Sequence, residues 1–172
     1  MLTVFSRLRS LVIGAAGAAM VGGIALATGS TALAQDQSAA TAKDVIFARK
    51  ILMGMVGSNM DELDSMLETG KIDMAEAREH SDNISMLLMV FPHLFPAASN
   101  EWKPNVERDP ATDTFASPDL WTRFADFYRI ATAASKTAYN ASRSREPEEF
   151  KKYGAELRQA CDGCHATFLK PQ

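Results

Sequence analysis

Apolar residues recur along the chain with the spacing of amphipathic helices. Between Lys43 and Glu68, two adjacent apolar stripes step by seven and four residues, which predicts one long helix with a wide apolar face. Thr41 and Asp44 have the spacing of a capping box at its start, and Gly70 marks its end. The stripes consist of Val45, Leu52, Val56, Leu63 and Leu67, and of Ile46, Met53, Met60 and Leu67.

Three further helices are predicted. Asp73 caps a second one that runs to about Phe91, where prolines interrupt the pattern. A third begins at Ser117-Pro118-Asp119 and ends near Asn140, and a fourth opens at Glu146-Pro147. The predicted inward residues of the third are Leu120, Trp121, Phe124, Phe127, Tyr128, Ala131 and Ala134, and those of the fourth are Phe150, Tyr153, Leu157, Ala160, Cys161, Cys164 and Phe168.

The segment Ala97 to Ser117 is rich in Pro, Asn, Asp and Thr, which predicts a long loop. A connection of this length within one domain often covers a ligand. No alternating β pattern and no repeat appears. The chain therefore predicts an all-α fold, an antiparallel four-helix bundle.

The first 34 residues have the pattern of a secretory signal peptide. Arg7 and Arg9 form its positive end, an apolar run covers Leu11 to Ala27, and Ala32-Leu33-Ala34 fits the cleavage rule. The apolar run is short for a membrane anchor, which favours cleavage. We therefore expect a signal peptide over residues 1–34 and an exported, periplasmic domain over residues 35–172.

The charge balance changes slightly with this cleavage. The full chain has 18 basic and 21 acidic residues, and loss of Arg7 and Arg9 leaves 16 against 21, a formal charge of −5. A nucleic-acid partner would require a basic patch or stripe. We therefore expect no nucleic acid among the partners.

The chemistry concentrates at Cys161-Asp162-Gly163-Cys164-His165, which has the C-x-x-C-H pattern of c-type haem attachment. Thiols three residues apart on a helix share one face, so both can bond to the vinyl side of one porphyrin. His165 falls on the same face and is the candidate iron ligand. The pattern predicts one haem c, held covalently by Cys161 and Cys164.

Three other interpretations explain less of the motif. A structural zinc site needs four ligands, and the remaining histidines lie far away with no second cysteine pair. A thioredoxin-like pair would begin a helix after a strand, whereas this pair lies late in a predicted helix. A structural disulfide leaves His165 unexplained.

A helical exported domain with C-x-x-C-H near its C-terminus resembles the cytochrome c′ family. Further markers lie in order along the chain, although most are weak individually. They are Arg49-Lys50-Ile51-Leu52-Met53, Gly57-Ser58-Asn59-Met60, Leu94-Phe95-Pro96, Ala116-Ser117-Pro118-Asp119-Leu120-Trp121, and the haem motif with Phe168. The resemblance covers essentially the whole predicted mature chain, and it implies a four-helix bundle with haem in its core.

The resemblance also implies roles for single residues. Cys161 and Cys164 match the thioether positions, His165 matches the proximal iron ligand, and Arg49 matches a basic residue beside a haem propionate. A guanidinium fork suits that carboxylate, although an ordinary surface arginine is the alternative. The family often has arginine directly after the motif's aromatic residue, whereas here Leu169 follows Phe168.

Met53 matches the residue over the distal side of the iron. Members of the family differ there, because in one branch methionine bonds the iron and in another an apolar side chain only crowds it. Methionine is also a common core residue, so packing remains open beside ligation. We expect a one-electron carrier with redox partner proteins and no catalytic residues, and a binder of nitric oxide or carbon monoxide is the alternative. The family also implies a homodimer through its first two helices.

Overall fold

The first two helices begin where a side chain caps their first backbone N–H groups. The computed structural model describes residues 40–106, 109 and 113–170, so the predicted signal peptide lies outside the described residues. Helix α1 spans Ala42–Thr69. At its start the backbone N–H of Asp44 donates to Thr41 Oγ1 over 3.2 Å, and the N–H of Thr41 donates to Asp44 Oδ2 over 2.9 Å. Gly70 ends α1 with φ 68°, a conformation that favours glycine.

The remaining helices follow, with a long connection between the second and the third. Helix α2 spans Met74–Val90, and Asp73 Oδ1 accepts the backbone N–H of Ala75 over 2.8 Å. Two short 3₁₀ segments follow, Phe91–Leu94 and Ala97–Ser99. Helices α3, α4 and α5 span Asp119–Thr122, Phe124–Ser142 and Pro147–Phe168. The predicted all-α class is confirmed, and the four long helices α1, α2, α4 and α5 form the bundle.

The third predicted helix is divided into two. Arg123 has φ −119° and ψ 35°, so it ends α3 and precedes α4. Leu120 and Phe127, on either side of this break, are both buried. The predicted inward positions of Phe124 and Tyr128 are wrong, because their side chains are 37% and 43% exposed and their rings pack against each other at the surface.

The core has two parts. An aliphatic cluster joins the four long helices, and an aromatic cluster lies beneath α3 and the end of α5. Met53 and Leu52 on α1 pack against both clusters. The aliphatic cluster contains Val56, Met60, Leu63, Met66, Ala77, Ile84, Leu88, Ala134, Ala138, Ala141, Phe150 and Leu157, and the aromatic cluster contains Phe91, Phe95, Leu120, Phe127 and Phe168.

The end of α5 is tied to the segment before α3. The backbone N–H of Ser117 donates to the carbonyl of Phe168 over 2.8 Å, and that of Lys170 donates to the carbonyl of Phe115 over 2.7 Å. A single β-bridge joins Ala116 and Leu169. Within the described part of the chain, no helix is long and apolar enough to cross a membrane.

Candidate haem-binding site

The C-x-x-C-H residues lie in the last two turns of α5. Cys161 and Cys164 are half-buried and do not form a disulfide, and His165 is exposed. All three line one cavity of about 450 Å³. The three side chains therefore line the same cavity from one helix.

Burial keeps both thiols protonated. It raises the pKa of Cys164 to about 11, with a further contribution from the neighbouring Cys161. It also raises the pKa of Cys161, although the positive charge of Arg158 opposes this shift. Both thiols are therefore neutral at physiological pH, and their surroundings are largely apolar.

The cavity lies between α1 and α5, with α4 and the segment before α3 completing its wall. Helix α1 contributes a stripe from Arg49 to Asp61, which are twelve residue steps or about 18 Å of helix apart. The aromatic wall consists of Phe91, Phe95, Phe115, Phe127 and Phe168. The loop predicted to cover a ligand does reach this site, because residues 113–116 line the cavity.

Arg49 lies at the polar end of the cavity and is only 4% exposed. Its Nη1 donates to Ser99 Oγ over 2.9 Å, and its Nη2 donates to Thr114 Oγ1 over 2.9 Å. Its guanidinium also lies over the ring of Phe95, 4.7 Å from the ring centroid. Burial lowers the pKa of Arg49 to about 10. The hydroxyl groups that accept these bonds are neutral, so the guanidinium remains a buried positive charge at this end of the cavity.

The neighbouring cation has a different partner. Lys50 Nζ forms an ion pair with Asp113 Oδ1 over 2.8 Å, and Asp113 is 7% exposed. Both residues line the cavity beside Arg49. This pair ties α1 to the loop, so the polar end contains two cations and one carboxylate among the residues lining the cavity there.

Met53 lines the same cavity from α1, whereas His165 lines it from α5. Met53 is half-buried and contacts both core clusters, which limits its freedom. Gly54 and Gly57 line the cavity next to it, and a Cβ at either position would meet no atom within 4 Å. The structure therefore brings together all five predicted site residues: Cys161, Cys164, His165, Arg49 and Met53.

Comparison with known proteins identifies the family. The sequence model described as Cytochrome C' matches residues 44–169, most of the chain. The chain belongs to the cytochrome c′ family. Cytochrome c′ proteins carry haem c, and Cys161 and Cys164 fit its covalent attachment. No curated protein matches in sequence.

Solved cytochrome c′ structures have the same fold. The protein from Shewanella frigidimarina is 25% identical, with 76% of this chain and 97% of that chain covered and a TM-score of 0.65. A cytochrome c′ described as having ligand-controlled dimer dissociation is 19% identical, with coverage of 78% and 100% and a TM-score of 0.65. A nitric oxide complex of a variant from Alcaligenes xylosoxidans is 13% identical, with coverage of 77% and 98% and a TM-score of 0.64.

The residues around the cavity fit a haem of this kind. Two neutral thiols and an imidazole lie on one wall, and aromatic rings form another. At the polar end lies a buried guanidinium that has no acidic partner among the described residues. A haem supplies vinyl groups, iron and propionates, which are the chemical complements of these three features.

Sequence reasoning missed two charged residues of the site. Asp113 was not distinguished from the rest of its loop, since its partner Lys50 lies 63 residues away. Arg158 lines the cavity one turn before Cys161 and bonds Asp64 Oδ2 over 3.2 Å, across 94 residues. The only local signal was the spacing of Arg158 and Asp162, which are joined over 2.9 Å. Lys170, after the motif, lies against the ring of Trp102, with its Nζ 4.6 Å from the ring centroid.

Proposed function

We propose that this cytochrome c′ is a periplasmic one-electron carrier, with His165 and Met53 as the axial ligands of its haem iron. The observation that carries the proposal is that these two side chains line one cavity from two different helices. A thioether is a soft ligand that raises the potential of haem iron. Two protein ligands leave coordination unchanged during the redox cycle, which suits electron transfer.

The remaining site residues have binding roles in this proposal. The haem, when bound, supplies the ferric–ferrous couple. Cys161 and Cys164 hold it through thioethers, which prevent its loss. Arg49 binds a propionate, because its buried guanidinium has only neutral partners and a carboxylate would complete its charge. No residue acts as a catalyst.

The partners follow from this role. The predicted signal peptide supports export to the periplasm, where redox proteins exchange electrons with the haem. The full chain has a formal charge of −3, which gives no support for a nucleic-acid partner. The proteins that donate electrons to the haem and accept them from it must have surfaces complementary to the surface of this protein.

We also propose a two-fold homodimer through α1 and α2. Phe47, Ile51 and Met55 step by four residues along α1 and are all exposed. On α2, Met86, Met89 and Val90 are exposed as well. Large apolar side chains in regular spacing on a helix surface are typical of an interface. A related cytochrome c′ is described as having ligand-controlled dimer dissociation, which supports dimer formation.

Gas binding is the second candidate function. It is supported by the nitric oxide complex of the Alcaligenes xylosoxidans variant. In this alternative Met53 only crowds the iron, and a diatomic gas occupies the distal position.

Two measurements on the purified protein test these proposals. Mass spectrometry after denaturation should give one haem added to the chain from Gln35 onward, and an apoprotein mass from cells that mature c-type cytochromes would contradict haem attachment. The ferric absorption spectrum should be low-spin with the far-red band of a methionine–iron bond. A high-spin spectrum with rapid carbon monoxide binding would favour the gas-binding function instead.

A further inference from the structure

Helices α1 and α5 touch at one end and are separated at the other by the cavity. The contact pairs Leu67 of α1 with Gly154 of α5, and Asp64 of α1 with Arg158 of α5. From the first pair to the second, the residue number falls along α1 and rises along α5, so the two helices run in opposite directions. Continuing the same register, the next turns bring Met60 towards Cys161, and both residues line the cavity. We call the contact of Leu67, Gly154, Asp64 and Arg158 the vertex.

We propose that the vertex is a positioning site that sets the separation of Met53 and His165 across the cavity. It thereby determines whether Met53 stays bound. This inference rests on the axial roles proposed above for these two residues. The vertex touches neither the haem motif's histidine nor Met53, so it acts through the placement of the two helices that carry them.

Gly154 is the residue of the vertex that least tolerates a larger side chain. A Cβ at this position would lie 3.1 Å from Leu67 Cδ1, which is closer than ordinary van der Waals contact, and 3.4 Å from its Cδ2. At the four other glycines within the described residues, a Cβ would meet nothing within 4 Å. Glycine inside a helix is less stable than alanine. The close approach of α1 is the structural reason for glycine at this position.

Arg158 adds a polar tie at the same end. Its Nη1 donates to Asp64 Oδ2 over 3.2 Å, and its Nη2 donates to Asp162 Oδ1 over 2.9 Å. Its Nε is buried and has no hydrogen-bond partner. Among the described residues, the bond to Asp64 is the one side-chain hydrogen bond between α1 and α5. The orphaned Nε indicates that the guanidinium is held by its two outer nitrogens.

The distances along the helices explain why a small change matters. Met53 lies fourteen residues from Leu67, or about 21 Å of helix, and His165 lies eleven residues from Gly154, or about 16 Å. A Cβ at position 154 requires Leu67 to give by a few tenths of an ångström, and a shift of α1 by that amount would provide the room. Metal–ligand distances hold within about 0.2 Å. A change at the vertex is therefore as large as the tolerance of the axial bond.

The test compares the holoprotein with three variants. Gly154→Val pushes α1 and α5 apart, whereas Ala155→Val places the same side chain at the exposed neighbouring position as a control. Gly154→Val combined with Leu67→Ala restores the space. We expect Gly154→Val to lose the far-red methionine band. If the open fraction rises from about 1% to about 50%, apparent carbon monoxide affinity rises about 50-fold. The double variant should regain the band, and Ala155→Val should match the unmodified protein.

An unchanged band and unchanged carbon monoxide affinity in Gly154→Val would overturn the inference while the proposed function stands. Equal loss in Ala155→Val, or no recovery in the double variant, would also overturn it. If Gly154→Val does not fold, Gly154→Ala is judged by the same criteria. If the unmodified protein lacks the band, the proposed ligation fails. The vertex is then judged by carbon monoxide association rates, and equal rates in Gly154→Val and the unmodified protein would overturn it.

Discussion

Replacing Met53 with Ala separates the electron carrier from the gas binder. The thioether would be lost from the cavity wall, so the ferric protein should lose its far-red band. If Met53 is bound in about 99% of molecules, removing it raises the apparent carbon monoxide affinity about 100-fold. The reduction potential should also fall, by about 59 mV for each tenfold preference of the thioether for ferrous over ferric iron.

The structure also sets the size of the stability change. A fully buried methionine truncated to alanine costs about 2–5 kcal/mol. Met53 is half-buried, although it contacts both core clusters, so we expect about half of that cost. For a domain of this size the melting temperature should fall by about 5 °C. This change is small enough for the variant to fold and for its spectrum to be measured.

Met55→Ala is the matched control. Met55 lies two residues further along α1, and its side chain is 51% exposed. Absorption spectroscopy, carbon monoxide titration and thermal unfolding are measured on both holoproteins. If Met53→Ala keeps the spectrum and gas affinity of the unmodified protein, Met53 is not a ligand. If Met55→Ala produces the same spectral change, the effect belongs to α1 in general rather than to the thioether.

Four further outcomes are expected from the structure. Arg49→Gln should lower the reduction potential, because it removes the buried positive charge proposed to pair with a haem propionate; potentiometry that gives no change would contradict the propionate role. Met89→Lys should shift the dimer towards monomer in sedimentation, whereas Tyr139→Lys, at an exposed apolar site on α4, should not. Gly70→Ala should lower the free energy of unfolding by about 1–2 kcal/mol in denaturant titration, because its φ of 68° strains an L-residue, and equal stability would refute the left-handed cap. The hydrogen bonds from Thr41 lower the pKa of Asp44. The ionised carboxylate therefore stabilises the fold above the ordinary pKa of about 3.9, and this stabilisation is lost as the pH falls through the lower pKa of the folded state. Unfolding measured at several pH values should show that the stability difference between Asp44→Ala and the unmodified protein shrinks in acid.

Local interactions made the helix boundaries and the haem motif predictable. The capping box at Thr41, the cap at Asp73 and the glycine stop at Gly70 act within a few residues, so their spacing is visible in the sequence. The C-x-x-C-H spacing is likewise a property of one helical face. The same local rules did not reveal the break at Arg123, because Leu120 and Phe127 enter a core formed by other segments.

The charges and contacts around the cavity were decided by the tertiary structure. Lys50 and Asp113 are 63 residues apart, and Arg158 and Asp64 are 94 residues apart, so no local pattern joins them. The role of Gly154 depends on Leu67 in the same way. The number of residues between two positions does not show which helix faces meet, because that depends on how all four long helices bury their apolar stripes together. The sequence by itself therefore determined the haem-attachment residues, whereas packing determined the cavity in which they lie.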